Sequence, residues 1–247
     1  MTTAAPANPA QPRHEWALTV VEAFDVTPRL RRVIFTAAHL DALHYQPGQA
    51  LVLQMPLPTG GTGRRDYTIR WLDRAAQRLA IDFVQHGPAP AADWSRAARP
   101  GDEIVAAGPR GRITLSADAD WHLFCADETG LPAVAHMLET MTPGARAFAF
   151  LEVDGPADRI AIATPARLDL VWIERGGRRA GPSSLLLDHL AGFVAPAGRG
   201  KACLIGETSN VRAQRHHLIA RGWGRDQIAS EGYWRPGRIG GHDHVDD

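Results

Sequence analysis

Up to about residue 117, apolar and polar positions alternate in short runs separated by Gly, Pro and Asp. "ALTVVEAF", "LRRVIFTA", "ALVLQMP", "DYTIRWLD", "LAIDFVQHG" and "DEIVAAGP" are each β-prone, and their regular spacing predicts an antiparallel barrel or sandwich. One Ala-rich stretch, "APAADWSRAA", closed by "RPGD", reads as a helix between two of them. From about residue 120 the pattern changes. "WHLFCA" is a continuous apolar strand, and "DETGLPAVAHMLETM" reads as a helix with Val134, Met137, Leu138 and Met141 on one face. "ARAFAFLEV", "DLVWIERG" and "KACLIGE" follow as strands, with "SSLLLDHLAGF" and "SNVRAQRHHLIARG" as helices. Strands alternating with helices predict a parallel sheet covered on both faces. The expected layout is a tail over 1–13, a β-barrel domain over 14–117 and a three-layer α/β domain over 118–247.

Composition narrows the function classes. Lys+Arg and Asp+Glu are both 27, so the formal net charge is zero. That argues against a general electrostatic grip on nucleic acid or an anionic membrane, and any anion site must come from a local cluster. No apolar run is long enough to span a membrane. The Ala/Pro-rich start lacks an apolar signal segment and reads as a disordered tail, so a cytoplasmic location is the default expectation. Cys125 and Cys203 each sit in an apolar run and read as reduced core residues. Two cysteines cannot hold a four-thiolate iron–sulfur cluster within this chain.

Candidate chemistry concentrates in a few stretches. "RRDYTIR" (64–70) puts three arginines around Tyr67 and Thr68. A solvated strand edge would explain it, and so would a site in which arginines hold a phosphate and the tyrosine packs an aromatic ring. "HGPAPAADW" leads from a strand into a helix start, where free N–H groups suit a pyrophosphate. The second half lacks G-x-G-x-x-G, but "ADETGLPAVA" and "IGE" place Thr129, Gly130, Pro132, Gly206 and Glu207 at carboxyl ends of strands, where ligands of open α/β sheets bind. Asp127 and Glu128 read equally as acids at a helix N-terminus. The final "GGHDHVDD", with His242 and His244, reads as a disordered end, and "RRAGPSS" as a loop whose Arg178 and Arg179 could meet a phosphate.

Several of these segments, in this order, resemble the siderophore-interacting protein family, FAD-dependent ferric-siderophore reductases with a ferredoxin-reductase-like fold. "RDYTIR" is similar to the family's R-x-Y-T-x-R flavin motif, "DFVQHGPAPAADWSRAARPGD" to its D-F-V-x-H-G…P-A-x-x-W segment, "ADETGLPAVAHMLE" to its D-E-T-A-L-P-A segment and "GYWRPGR" to its Y-W-R-x-G ending. The resemblance covers nearly the whole chain after the tail. It implies FAD contacts at Arg65, Tyr67, Thr68, Arg70, Asp82, Phe83, His86, Gly87, Ala91 and Trp94, with Arg65 and the turn on the phosphates, Tyr67 on the ring and Thr68 near N5. It implies a donor, NADPH or NADH, at Asp127, Glu128, Thr129, Pro132, Gly206 and Glu207, with ferredoxin as the alternative donor. A ferric siderophore would dock at Trp234, Arg235 and Arg238, with no resident metal and no general acid or base. Ala89, Ser95 and Ala126 depart from the residues usual in the family, and none removes a hydrogen-bond donor. A non-catalytic siderophore or flavin carrier, or a general flavin or ferredoxin reductase, are the competing readings.

Overall fold

The computed structural model describes residues 14–57, 59–85, 87, 89–238 and 243–246. Strands β1 (Glu15–Thr27), β2 (Leu30–Thr36), β3 (Ala50–Pro56), β4 (Thr62–Asp73), β5 (Arg78–Val84) and β6 (Glu103–Arg110) close into a barrel in the order β1-β2-β5-β4-β3-β6. Every pairing is antiparallel. Alternation does what period two requires: Leu18, Phe35, Leu51, Leu53, Ile69, Ile81 and Phe83 are fully buried inside. Helix α1 (Pro90–Ala97), between β5 and β6, sets Ala91 against this core, and Ala98 follows it there.

The rest of the chain builds one sheet from β7 (Trp121–Ala126), β8 (Arg146–Val153), β9 (Arg167–Glu174), β10 (Gly200–Glu207), β11 (Ile228–Trp234) and the two-residue β12 (Asp243–His244), in the order β12-β11-β10-β7-β8-β9. All pairings are parallel except β12 on β11. Helix α2 (Leu131–Glu139) packs on one face, and α3 (Leu185–Ala191) and α4 (Thr208–Ala220) on the other, giving the three expected layers. Strand order reverses between β7 and β10, so the carboxyl ends of those two strands flank the crevice where open α/β sheets bind ligands.

The crossover from β8 to β9, where no helix is expected, has none, and Ile160 and Ile162 cover the sheet there. Two expectations change. Strand β11 falls where the pattern shows no strand. Asp243 and His244, expected in a disordered end, pair with Gly232 and Glu231; the tail over 1–13 and His242 lie outside the described residues. Helix α2 is buried on every side, from Leu131 through Leu138, because the barrel covers the stripe that a surface helix would expose. His136 Nδ1 donates to the Ile69 carbonyl at 2.7 Å, and burial holds the imidazole below its usual pKa. Arg70 of β4 grips Glu139 of α2 with bonds of 2.6 and 2.7 Å. Among the described residues no helix is long and apolar enough to cross a membrane.

Candidate active site

A cleft of about 560 Å³ opens between the barrel and the carboxyl ends of the sheet. Barrel strand β4 supplies Arg65, Asp66, Tyr67 and Thr68, and the start of α1 supplies Ala89, Pro90 and Ala91. The sheet side contributes Thr129 and Pro132 after β7, then Tyr233, Trp234, Arg235 and Arg238 at the end of β11. Six arginines line the cleft: 65, 110, 112, 179, 235 and 238. Some are already committed. Arg110 makes a paired contact with Asp66, Arg238 pairs with Asp243, and Arg235 lies 3.9 Å from the same carboxylate.

Local structure suits an aromatic ring with a diphosphate. The Tyr67 ring is braced on Phe83 with centroids 4.4 Å apart, and burial pushes its phenol well above the usual range. Thr68 and Tyr233 both line the cleft, and burial also pushes the Tyr233 phenol above its usual range. Ala89, at the N-cap of α1, has no side chain that could cap the helix, and Pro90 occupies the first position. The N–H of Ala91, in the first turn, has no intrahelical partner and stands at the cleft with the positive end of the helix dipole.

Of the residues singled out in the sequence, Arg65, Tyr67, Thr68, Ala91, Thr129, Pro132, Arg179, Trp234, Arg235 and Arg238 meet around this cleft, together with part of Asp82. The side chains of the others are engaged elsewhere. Arg70 is sequestered by Glu139 and by Asp82 at 3.6 Å. The Asp82 side chain has no exposed surface and holds Arg32 at 2.7 and 2.8 Å, so what reaches the cleft is its backbone. Phe83 lies in the barrel core beneath Tyr67, Trp94 packs between Phe35 and Phe83, and Gly87 is exposed off the cleft wall. His86 lies outside the described residues.

The acids after β7 are structural in this arrangement. Asp127 accepts from the Thr129 N–H and hydroxyl, from the Glu207 N–H at 2.8 Å and from Trp234 Nε1 at 2.8 Å. Gly206 makes room for it: a Cβ there would stand 2.5 Å from Asp127 Oδ2, and its φ of 144° lies where side chains are disfavoured. Glu207 caps α4, accepting from the N–H groups of Ser209 and Asn210 at 2.9 Å. Glu128 pairs with Arg175 at 2.9 Å, and burial still holds its carboxyl above the usual range. Arg175 also meets Glu152 at 3.4 Å, whose carboxyl is pushed up to about 7 by burial and then by the neighbouring Asp127. Asp127, Glu128, Thr129, Glu152, Arg175 and Trp234 line a second, much smaller cavity of about 10 Å³. Tyr233, Glu231, Arg110 and Arg112 line the cleft without a signal in the sequence that separates them from ordinary surface residues. Among the described residues no group of three His, Cys, Asp or Glu is placed to hold a metal ion.

Residues 61–113 match the siderophore-interacting FAD-binding domain, and residues 119–237 match the siderophore-interacting protein family. A siderophore utilization protein from T. fusca has a solved structure that superposes with a TM-score of 0.87 at 32% identity, covering 95% of this chain and 97% of that one. The ferric vibriobactin reductase ViuB of Vibrio cholerae is 32% identical over 209 residues, 78% of this chain and 75% of that protein. An Escherichia coli protein named NADPH-dependent ferric-chelate reductase is 28% identical over 173 residues, 69% of this chain and 65% of that protein. The chain likewise spans 65% of the length of the mycobacterial relatives it matches. With a ferredoxin-reductase-like pair of barrel and sheet and a relative of this identity and coverage, the chain belongs to the siderophore-interacting protein family, and its barrel carries that family's FAD-binding domain.

Proposed function

We propose that the protein is an FAD-dependent reductase of ferric siderophores, driven by NADH or NADPH. The observation that carries this reading is the single cleft shared by Tyr67 and Thr68 of the barrel and by Thr129, Pro132 and Trp234 at the carboxyl ends of the sheet. Bound there, FAD would accept two electrons at once from a nicotinamide and release them singly, as reduction of Fe(III) requires. Arg65 and the first-turn N–H groups of α1 would hold the diphosphate, and Tyr67, braced by Phe83, would pack the ring. Thr68 and Tyr233 would offer their hydroxyls to the ring edge. Thr129 and Pro132 would face the donor. Arg235 and Arg238, with Trp234 beside them, would dock the anionic substrate in competition with Asp243, which already neutralises part of their charge. Reduction of the iron without direct protein ligation needs no proton-transfer residue, and none is assigned.

An anaerobic assay tests the whole path. The visible spectrum of the FAD-loaded protein should bleach with NADH or NADPH, then recover on adding a ferric siderophore with a ferrous trap. Bleaching by reduced ferredoxin alone would keep the reductase and change its donor. A flavin that no donor reduces would sink the reductase reading in favour of a carrier. Tyr67→Ala should weaken FAD binding by about 2 kcal/mol, roughly thirty-fold, through lost ring contact. Titration by flavin fluorescence measures this directly, and an unchanged dissociation constant would remove Tyr67 from the ring site.

A further inference from the structure

The cleft is basic by composition and nearly neutral by pairing. Arg110 is matched by Asp66, Arg238 and Arg235 share Asp243, and Arg112 lies 3.1 Å from Asp246 and 3.5 Å from Glu231. Among the described residues only Arg65 and Arg179 stand in the cleft without a carboxylate partner. Arg65 is assigned to the FAD diphosphate, which carries more negative charge than one guanidinium balances. With flavin bound, Arg179 is the one arginine of this wall left unneutralised among the described residues.

The acids are fixtures of the wall and not loose counter-ions. They belong to a segment held at every residue by contacts other than the arginines of the cleft. Asp243 pairs with Gly232 and accepts from the Thr208 hydroxyl at 3.0 Å, and His244 pairs with Glu231. Val245 is 2% exposed, and its carbonyl accepts from the Ser230 hydroxyl at 2.7 Å. The Asp246 carbonyl accepts from Arg215 at 3.0 Å and from Arg225 at 3.1 Å. Burial raises the Asp243 carboxyl, but the Thr208 hydroxyl and Arg238 outweigh it and hold the group below its usual pKa, so it stays ionised. A polyanion would therefore meet fixed negative charge beside the arginines that should attract it, and like charges set together are strongly disfavoured. Between the charged pairs the wall is apolar, with Ile113, Trp234 and Pro236 facing the same space.

We propose that Asp243, with Asp246 against Arg112, sets the charge of the substrate. The cleft is matched to a ferric complex carrying at most one negative charge, such as a ferric trihydroxamate, and turns away trianionic ferric triscatecholates. This rests on the reading of the cleft as the place where reduced flavin meets a ferric siderophore, and it narrows the class of siderophore served. Asp243 is then a specificity-determining residue, acting through Arg235 and Arg238.

Gallium(III) has the charge of ferric iron and is not reduced, so its complexes report affinity apart from redox potential. In the FAD-loaded full chain at low salt, flavin fluorescence titration should give neutral Ga(III) desferrichrome a dissociation constant roughly tenfold below that of trianionic Ga(III) enterobactin. Asp243→Asn keeps the size of the side chain and an acceptor for Thr208, and removes the charge. It should tighten the trianion roughly tenfold, move the neutral complex less than about twofold, and lose most of its effect at high ionic strength. Asp246→Asn, at a side chain 62% exposed, carries the test if that variant fails to fold. It should act in the same direction by about threefold. A trianion that binds the wild type as tightly as the neutral complex would overturn the charge match, as would variants that shift both complexes alike or neither. If neither gallium complex binds and neither ferric complex reoxidises the reduced flavin without oxygen, the reductase reading falls and the charge match with it. Reoxidation by both ferric complexes, with the ratio of gallium affinities unaltered in the variants, overturns the charge match alone.

Discussion

Asp82→Ala is expected to lower folding stability by about 3–5 kcal/mol, far more than it changes the affinity of the folded protein for FAD. The carboxylate has no exposed surface, accepts two bonds from Arg32 and stands 3.6 Å from Arg70. Their side chains are 16% and 6% exposed, so removing the acid leaves two poorly solvated cations with less than their full complement of acceptors. Arg70 would keep Glu139, but among the described residues Arg32 has no other carboxylate within bonding distance. Asp82→Asn, which retains an acceptor oxygen and loses the charge, should fall between the two. Urea unfolding measures the difference as a shifted midpoint at unchanged slope. A midpoint for Asp82→Ala within about 1 kcal/mol of wild type would show that water, and not Asp82, solvates the two arginines.

This result would separate what is visible in the chain from what the fold adds. "ALVLQMP" coincides with β3 and "WHLFCA" with β7, because alternation and continuous apolar runs report local burial. Strand β11 escapes that logic: Ser230 and Glu231 are buried by distant partners, Ser230 by Arg215 and the Val245 carbonyl, Glu231 beside His244. Likewise "LPAVAHML" is apolar nearly all round, and a period of 3.6 cannot say that a second domain covers its outer face. In the site, "RRDYTIR" is legible as a cluster, yet its arginines part company. Arg65 reaches the cleft, and Arg70, five residues on, becomes the tie between barrel and sheet because its partner Glu139 is 69 residues away. The acids of "ADET" look like ligands for the same reason. Their partners, Glu207, Trp234 and Arg175, come from three other stretches of chain.

Asp127 and Gly206 should therefore be coupled, and a double-mutant cycle is expected to show it. Asp127→Ala strips acceptors from the Thr129 and Glu207 N–H groups and from the Trp234 indole, at a cost of roughly 3 kcal/mol. At about 2–4 °C per kcal/mol for a chain of this size, the midpoint of thermal unfolding should fall by about 6–12 °C. Gly206→Ala alone should cost roughly 2–4 kcal/mol, since its Cβ would meet Asp127 Oδ2 and its backbone angle is strained for alanine. With Asp127 already shortened, the steric part disappears and the backbone part remains. The double variant should then be more stable than the sum of the single effects predicts by about 1–2 kcal/mol. Tryptophan emission should shift to the red in both backgrounds that lack Asp127, as the indole loses its acceptor and turns toward solvent in the cleft. Strict additivity, with emission unmoved, would mean that Trp234 is held by its packing and that the carboxylate does not set its place at the cleft.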